Sequence, residues 1–247
     1  MKNYIKADIR RILPRIPRIL ILIAYFAVFI AMYIIDARKD TWNSVAFVAL
    51  VQTYCSFMPP ILGLIELICV YSDDFRAKTM QVAIGIGISR KKVVLAKYIE
   101  IALVTLFDLL IFALLCTVMN AITGIVLRSD LVLEIFGQLL FCWLSVIGYS
   151  GLSMILIFAL QSTGLATILY LVLSTALVQW ALGNITNLPA IRGLHLQNVL
   201  LTTALNNFRS KIIIGSLDFR SSITIIIYFV VSYVITVEIF KKRELEF

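Results

Sequence analysis

Long apolar runs alternate with short polar stretches along the whole chain, at residues 19–35, 45–71, 99–122, 135–160, 165–182 and 222–240. A helix needs about 20 apolar residues to cross the ~30 Å hydrocarbon core of a bilayer. In lipid the backbone must satisfy its own hydrogen bonds, so each run predicts a spanning α-helix rather than a strand. The expected fold class is therefore an all-α membrane protein, with six transmembrane helices in one transmembrane domain over residues 1–247. The first run lacks a small-residue cleavage site and is followed by another apolar run, so it reads as a retained span and not a signal peptide.

Three segments between or before the runs carry their own pattern. In residues 1–18, Ile5, Ile9, Ile12, Leu13 and Ile16 recur at three- and four-residue steps while Lys2, Lys6, Arg10 and Arg11 take other faces. This predicts a basic amphipathic elbow helix in the membrane interface, broken by Pro14 and Pro17 before the first span. Residues 72–98 form a polar loop in which 73–83 predicts a short helix with acids in its first turn, where the helix dipole favours them. Gly85 and Gly87 punctuate it, and Ser89 is placed to N-cap the next helix. Residues 183–221 form a second long, outer loop in which 194–208 carries a helical face, and it predicts one or two short helices resting on, or dipping into, the outer surface.

Composition agrees with the pattern. Hydrophobic residues make up 61% of the chain, charged residues only 15%, and the mean hydropathy is +0.99. The net charge of +8 resides in basic residues flanking the apolar runs, which suits anionic lipid and not nucleic acid. With the N-terminus inside, fifteen Lys and Arg fall in the inner segments and seven in the outer ones, which predicts cytoplasmic termini and a cytoplasmic 72–98 loop. Cys55, Cys69, Cys116 and Cys142 all lie within apolar runs without C-x-x-C spacing, so neither a disulfide framework nor a zinc site is expected.

Catalytic motifs are lacking. There is no G-x-x-x-x-G-K-[ST], no H-E-x-x-H and no G-x-S-x-G, and the single histidine is His195. Ser145, Gly148, Ser150, Gly151 and Ser153 cluster in the fourth run, where small residues allow close helix contact. The chain is expected to be no enzyme. Ionisable residues inside the runs are functional suspects. Glu66 and Glu100 lie near the inner ends of their spans, within reach of Arg76, Lys97 or the inner basic cluster. Asp108 stands about 13 Å into the third span at 1.5 Å per residue. A structural hydrogen bond to another helix and a place on a substrate pathway are equally open to it.

The inner loop reads Asp74-Phe75-Arg76-Ala77-Lys78-Thr79, then Gly87-Ile88-Ser89-Arg90, then Lys97. It resembles the loop of ABC-2 type transporter permeases: acid-aromatic-Arg-x-Gly-Thr, then small-x-Ser-Arg, then a Lys opening the third span. Lys78 departs from the family's glycine. The closing Phe240-Lys241-Lys242-Arg243-Glu244-Leu245 is similar to the usual end of these permeases, and the overall layout is closest to the short permeases of lantibiotic-immunity and bacitracin-type peptide exporters. The resemblance implies a permease subunit in the bacterial plasma membrane, paired with a second permease and with a cytoplasmic ATPase dimer. ATP and Mg would be held by that ATPase, with no cofactor in this chain. Asp74, Phe75, Arg76, Thr79, Ser89 and Arg90 would couple it to ATP hydrolysis. The substrate implied is a lantibiotic-like antimicrobial peptide or a lipophilic drug. The alternatives are an exporter of lipid or polysaccharide, or a membrane sensor or assembly protein without transport.

Overall fold

The computed structural model describes residues 1–76, 79–186 and 199–242. Among these the chain is all-helical, with eleven helices and no strand. The elbow forms as its pattern predicts: α1 (Lys2–Ile12) buries Ile12, and the chain breaks before α2 (Ile16–Asp36). Pro17 sits in the first turn of α2, where its missing N–H is no loss.

The second apolar run is not one straight helix. α3 (Ser44–Ser56) and α4 (Met58–Arg76) meet at Phe57, and α3 is bent by 41° from the Met58–Tyr71 part of α4. Pro59 and Pro60 explain the bend, because neither has an N–H to donate to the carbonyls of Cys55 and Ser56 four residues back. The Cys55 carbonyl accepts from the Cys142 thiol at 3.1 Å instead. At the other end of α3, the Asn43 side chain caps the helix by accepting from the Val45 and Ala46 N–H groups.

The inner loop departs from the expected helix over 73–83. α4 continues through Asp73 to Arg76, and a separate α5 (Thr79–Gly85) follows; Ala77 and Lys78 lie outside the described residues. Gly87, at φ +92°, closes α5, with the Ile88 N–H on the Ala83 carbonyl and the Gly87 N–H on that of Ile84. This paired pattern needs a left-handed residue, which glycine supplies without strain. α6 (Arg90–Thr123) begins after Ser89, which occupies the N-cap position without a side-chain capping bond. At 34 residues it reaches about 51 Å, well beyond the bilayer core.

α7 (Ser129–Leu160) follows, then α8 (Thr163–Ser174) and α9 (Ala176–Thr186). The expected continuous helix over 165–182 is interrupted at Thr175, whose backbone is extended. α10 (Leu201–Ile213) replaces the helix expected over 194–208: residues 194–198, like His195, lie outside the described part, and the helix runs five residues further. α11 (Phe219–Lys242) ends the described chain, so Arg243, Glu244 and Leu245 are outside it. Helices α2, α6, α7 and α11 are long and apolar enough to cross a membrane, and the α3–α4 pair makes a fifth if counted as one. The chain has the character of a multi-pass membrane protein. The large side chains of α6 facing outward, Leu110, Leu114 and Ile122, are apolar, while its acids face inward.

Contacts fix the directions of the helices. α2 runs parallel to α6, with Arg18 beside Asp108 and Tyr33 hydrogen-bonded to the Met119 carbonyl. α7 and α11 run antiparallel to it: Trp143 Nε1 donates to the Ala102 carbonyl at 2.8 Å, Tyr98 pairs with Ser232, and Arg90 with the Phe240 carbonyl. The C-terminal end of α11 therefore lies at the same end of the bundle as α1. α8 climbs along α7 from Leu160 to the level of Tyr149, whose ring lies 6.4 Å from that of Tyr170. α10 climbs along the remainder, from Gly148, facing Leu201, to Gly137, facing Ile212 and Ile213. The two short helices together follow one side of α7.

Small residues make these approaches. A Cβ at Gly151 would stand 2.5 Å from the Tyr98 hydroxyl oxygen, and one at Gly63 would stand 1.8 Å from that of Tyr170. Tyr170 is fully buried and its hydroxyl donates to the Pro59 carbonyl at 2.6 Å, so the ring has nowhere to retreat. Gly63→Ala is expected to lower the thermal unfolding midpoint of the purified protein, with a loss of about 1–3 kcal/mol from overpacking. A midpoint equal to wild type would rule out this contact.

Candidate functional site

The acids and bases marked in the sequence converge on one face of α6. Lys97, Glu100, Thr105 and Asp108 recur at helical spacing and are all buried. Two linked clusters form along this face. In the first, the Lys97 ammonium binds Asp8 of α1 at 2.7 Å, Glu100 at 2.7 Å, and Asp74 of α4. Arg11 of α1 reaches Asp74 at 2.6 Å and Asp8 at 3.3 Å, and the Thr79 hydroxyl of α5 donates to Asp74 at 2.6 Å. The Tyr4 ring lies 5.2 Å from the Lys97 ammonium. Burial alone would raise the Asp74 carboxyl; Lys97, with hydrogen bonds from Lys97, Thr79 and Arg11, outweighs it and holds that group below the usual carboxylate range.

The second cluster lies further along α6. The Arg18 guanidinium of α2 pairs with Asp108, and its other nitrogen donates to the Leu13 carbonyl at 3.3 Å. The Thr105 hydroxyl donates to Glu66 of α4, and Glu66 lies beside Asp108. Between the clusters Arg15 donates to the Cys69 carbonyl. Three cations, Arg11, Arg18 and Lys97, thus face five carboxyls contributed by α1, α4 and α6.

The structure joins some of the expected residues and separates others. Asp74, Thr79 and Glu100 share the first cluster, and Asp108 and Glu66 share the second. Glu100 takes Lys97, one of its expected partners. Glu66 neither snorkels nor meets Lys97; it is buried against Thr105 and Asp108. Arg90 stands apart, donating to the Phe240 and Lys241 carbonyls and lying 5.4 Å over the Phe240 ring, where a basic side chain complements the C-terminal end of α11. Ser89 marks the start of α6 only. Phe75 and Arg76 belong to α4, but their side chains lie outside the described part. Cys55, Cys69, Cys116 and Cys142 are free and buried.

Sequence reading missed Asp8, Arg11 and Arg18 as network members. Asp8 offered a signal, being the one acid among six basic residues in 1–18. Arg18 offered none, since its partner is 90 residues away. Chemically the network is a set of ion pairs that ties α1 to α4 and α6, with α5 joined to it through the Thr79 hydroxyl.

A comparison with curated proteins finds no match. The family model described as protein of unknown function (DUF2705) matches residues 15–245, from the end of the elbow to the tail, and the chain belongs to that family.

Proposed function

We propose that the chain is the transmembrane permease subunit of an ATP-driven ABC-2 type exporter in the bacterial plasma membrane. It moves a lantibiotic-like peptide or a lipophilic drug out of the membrane and pairs with a second permease and a cytoplasmic ATPase dimer. On this reading it crosses the membrane six times, by α2, α3–α4, α6, α7, the stacked pair α8 and α10, and α11. Both termini are cytoplasmic, in keeping with the excess of basic residues in the inner segments and with the shared end of the bundle occupied by α1 and the end of α11.

The observation that carries the reading is the buried ion-pair network beneath α5. α5 sinks Met80 and Ala83 and turns Val82 outward, 61% exposed, and Ile86, just past its end, is 74% exposed. An exposed apolar edge on a helix clamped through Asp74, Thr79 and Lys97 suits docking to a moving partner, whose closure would travel into α1 and α6 as a rigid-body shift. ATP and Mg belong to that partner.

The tagged full-length chain, purified in mild detergent from its own host's membranes, is expected to bring down a P-loop ATPase in stoichiometric amount. Val82→Asp together with Ile86→Asp should remove that ATPase while leaving the yield of the chain unchanged. Absence of any ATPase from the wild-type preparation, or its full retention by the double variant, would overturn the reading.

A further inference from the structure

A cavity of about 550 Å³ lies halfway along α7, away from the ion-pair network. It opens where two helix breaks face each other: the bend at Phe57 with its prolines Pro59 and Pro60, and the interruption at Thr175. α10 closes one side with Arg209 and α7 another with Gln138 and Ser145. The size falls in the range of small-molecule sites, roughly 300–1,000 Å³. Broken helices near the middle of a bundle are also where transporters bind their ligands.

The walls are mainly apolar, from Phe57, Phe141 and the prolines, and the polar groups among them are left incomplete. Arg209 Nη1 donates to Gln138 Oε1 at 2.6 Å and the guanidinium lies 5.3 Å from the centre of the Phe141 ring. Its Nε is buried without a hydrogen-bond partner, and Arg209 makes no ion pair among the described residues. Glu134, one turn before Gln138, is engaged by Gln52 at 3.0 Å. Ser145 is 1% exposed and its hydroxyl has no partner. A buried polar group without a partner is unfavourable; the half-buried Arg209 has its Nε in that condition and no counter-charge among the described residues. Both deficits are met by one anion, which a guanidinium grips through two parallel hydrogen bonds.

We propose that this cavity binds an anionic amphiphile, a molecule with one phosphate or carboxylate head group on an apolar body, with Arg209 and Ser145 receiving the head group and Phe57 and Phe141 the body. The volume exceeds what a bare phosphate fills, which is why an apolar body belongs in the description. The inference goes beyond the export reading and does not depend on it, because binding is a property of the isolated chain.

The test is native mass spectrometry and calorimetry on the full-length chain in neutral detergent, with dodecyl phosphate, dodecanol, inorganic phosphate and dioleoyl phosphatidic acid as probes. Dodecyl phosphate should saturate one site, at least about tenfold tighter than dodecanol or inorganic phosphate, given the strength of a charge-assisted pair. Arg209→Gln should erase that preference, Arg209→Lys should keep part of it, and Ser145→Ala should weaken it a few-fold. Arg209-dependent binding of the two-chain lipid would identify the membrane as the source, and binding of the single-chain probe alone would identify a free amphiphile. Equal binding of dodecanol, equal binding of inorganic phosphate, or an undiminished preference in Arg209→Gln would overturn the proposal. Should the Gln variant fail to fold, the wild-type discrimination between dodecyl phosphate and dodecanol remains decisive.

Discussion

Replacement of Lys97 by methionine is expected to abolish accumulation of monodisperse protein. Methionine fills the space and keeps the helix, so the loss isolates the charge. The Lys97 ammonium is fully buried and sits among Asp8, Asp74 and Glu100. Without it Asp8 and Asp74 keep Arg11, and Glu100 has no cation paired with it among the described residues. Breaking a buried pair by removing one partner costs about 3–5 kcal/mol, against a total stability of roughly 5–15 kcal/mol, and here one cation serves three acids. Lys92→Met, exposed on the same helix, should stay within about 0.5 kcal/mol of wild type. Adding Asp8→Asn and Glu100→Gln to Lys97→Met should restore part of the yield, because fewer uncompensated charges remain. Size-exclusion profiles of detergent extracts read all three variants. A Lys97→Met profile matching wild type would show that the network contributes nothing to the fold.

The second large effect is expected at the Arg18–Asp108 pair. Asp108→Leu strands a buried guanidinium and Arg18→Leu strands Asp108 beside Glu66. A lone charge at a helix centre in a bilayer costs on the order of 2.5–3.5 kcal/mol on the insertion scale, and each single variant should lose about that much. The double Leu variant removes both charges and should lose far less than the sum, since an apolar replacement of a buried pair is often neutral. Additive losses would refute the pairing. On the proposed export reading, the same set separates a structural Asp108 from one on a substrate pathway. If its role is to hold α2 against α6, the double variant keeps transport in proportion to assembled protein. If the carboxyl itself meets substrate, the double variant assembles yet transports poorly, and Asp108→Asn does the same.

What could be read beforehand follows from range along the chain. Run length predicted every helix longer than 20 residues, because a bilayer crossing is a property of consecutive residues. The bend at Phe57 was also locally written, in Pro59-Pro60, although the apolar run passes through it. The interruption at Thr175 was not, since Leu173-Ser174-Thr175-Ala176-Leu177 contains neither glycine nor proline. The break lies at the level of the cavity, which Ser174 and Thr175 line. The acids at 66, 100 and 108 were visible as charges in apolar runs and Asp74 as part of the polar loop, but the partners Arg11 and Arg18 lie across the fold. Ser145 was legible only as one of several small residues suited to close packing. Gly148 and Gly151 serve that purpose against Leu201 and Tyr98, whereas Ser145 turns its hydroxyl into a cavity that no sequence pattern announces.

On the proposed six-crossing reading, the division of one crossing between α8 and α10 bears on how the protein is made. A nascent segment enters lipid from the translocon on its own length and hydrophobicity. With 12 residues, α8 reaches about 18 Å, short of the bilayer core. α10 carries Asn206, Asn207, Arg209 and Lys211 within 13 residues and is too polar to partition alone. On that reading neither short helix would become resident alone, and α7, packed against both, offers the surface on which they settle, with Gly148 leaving room for Leu201.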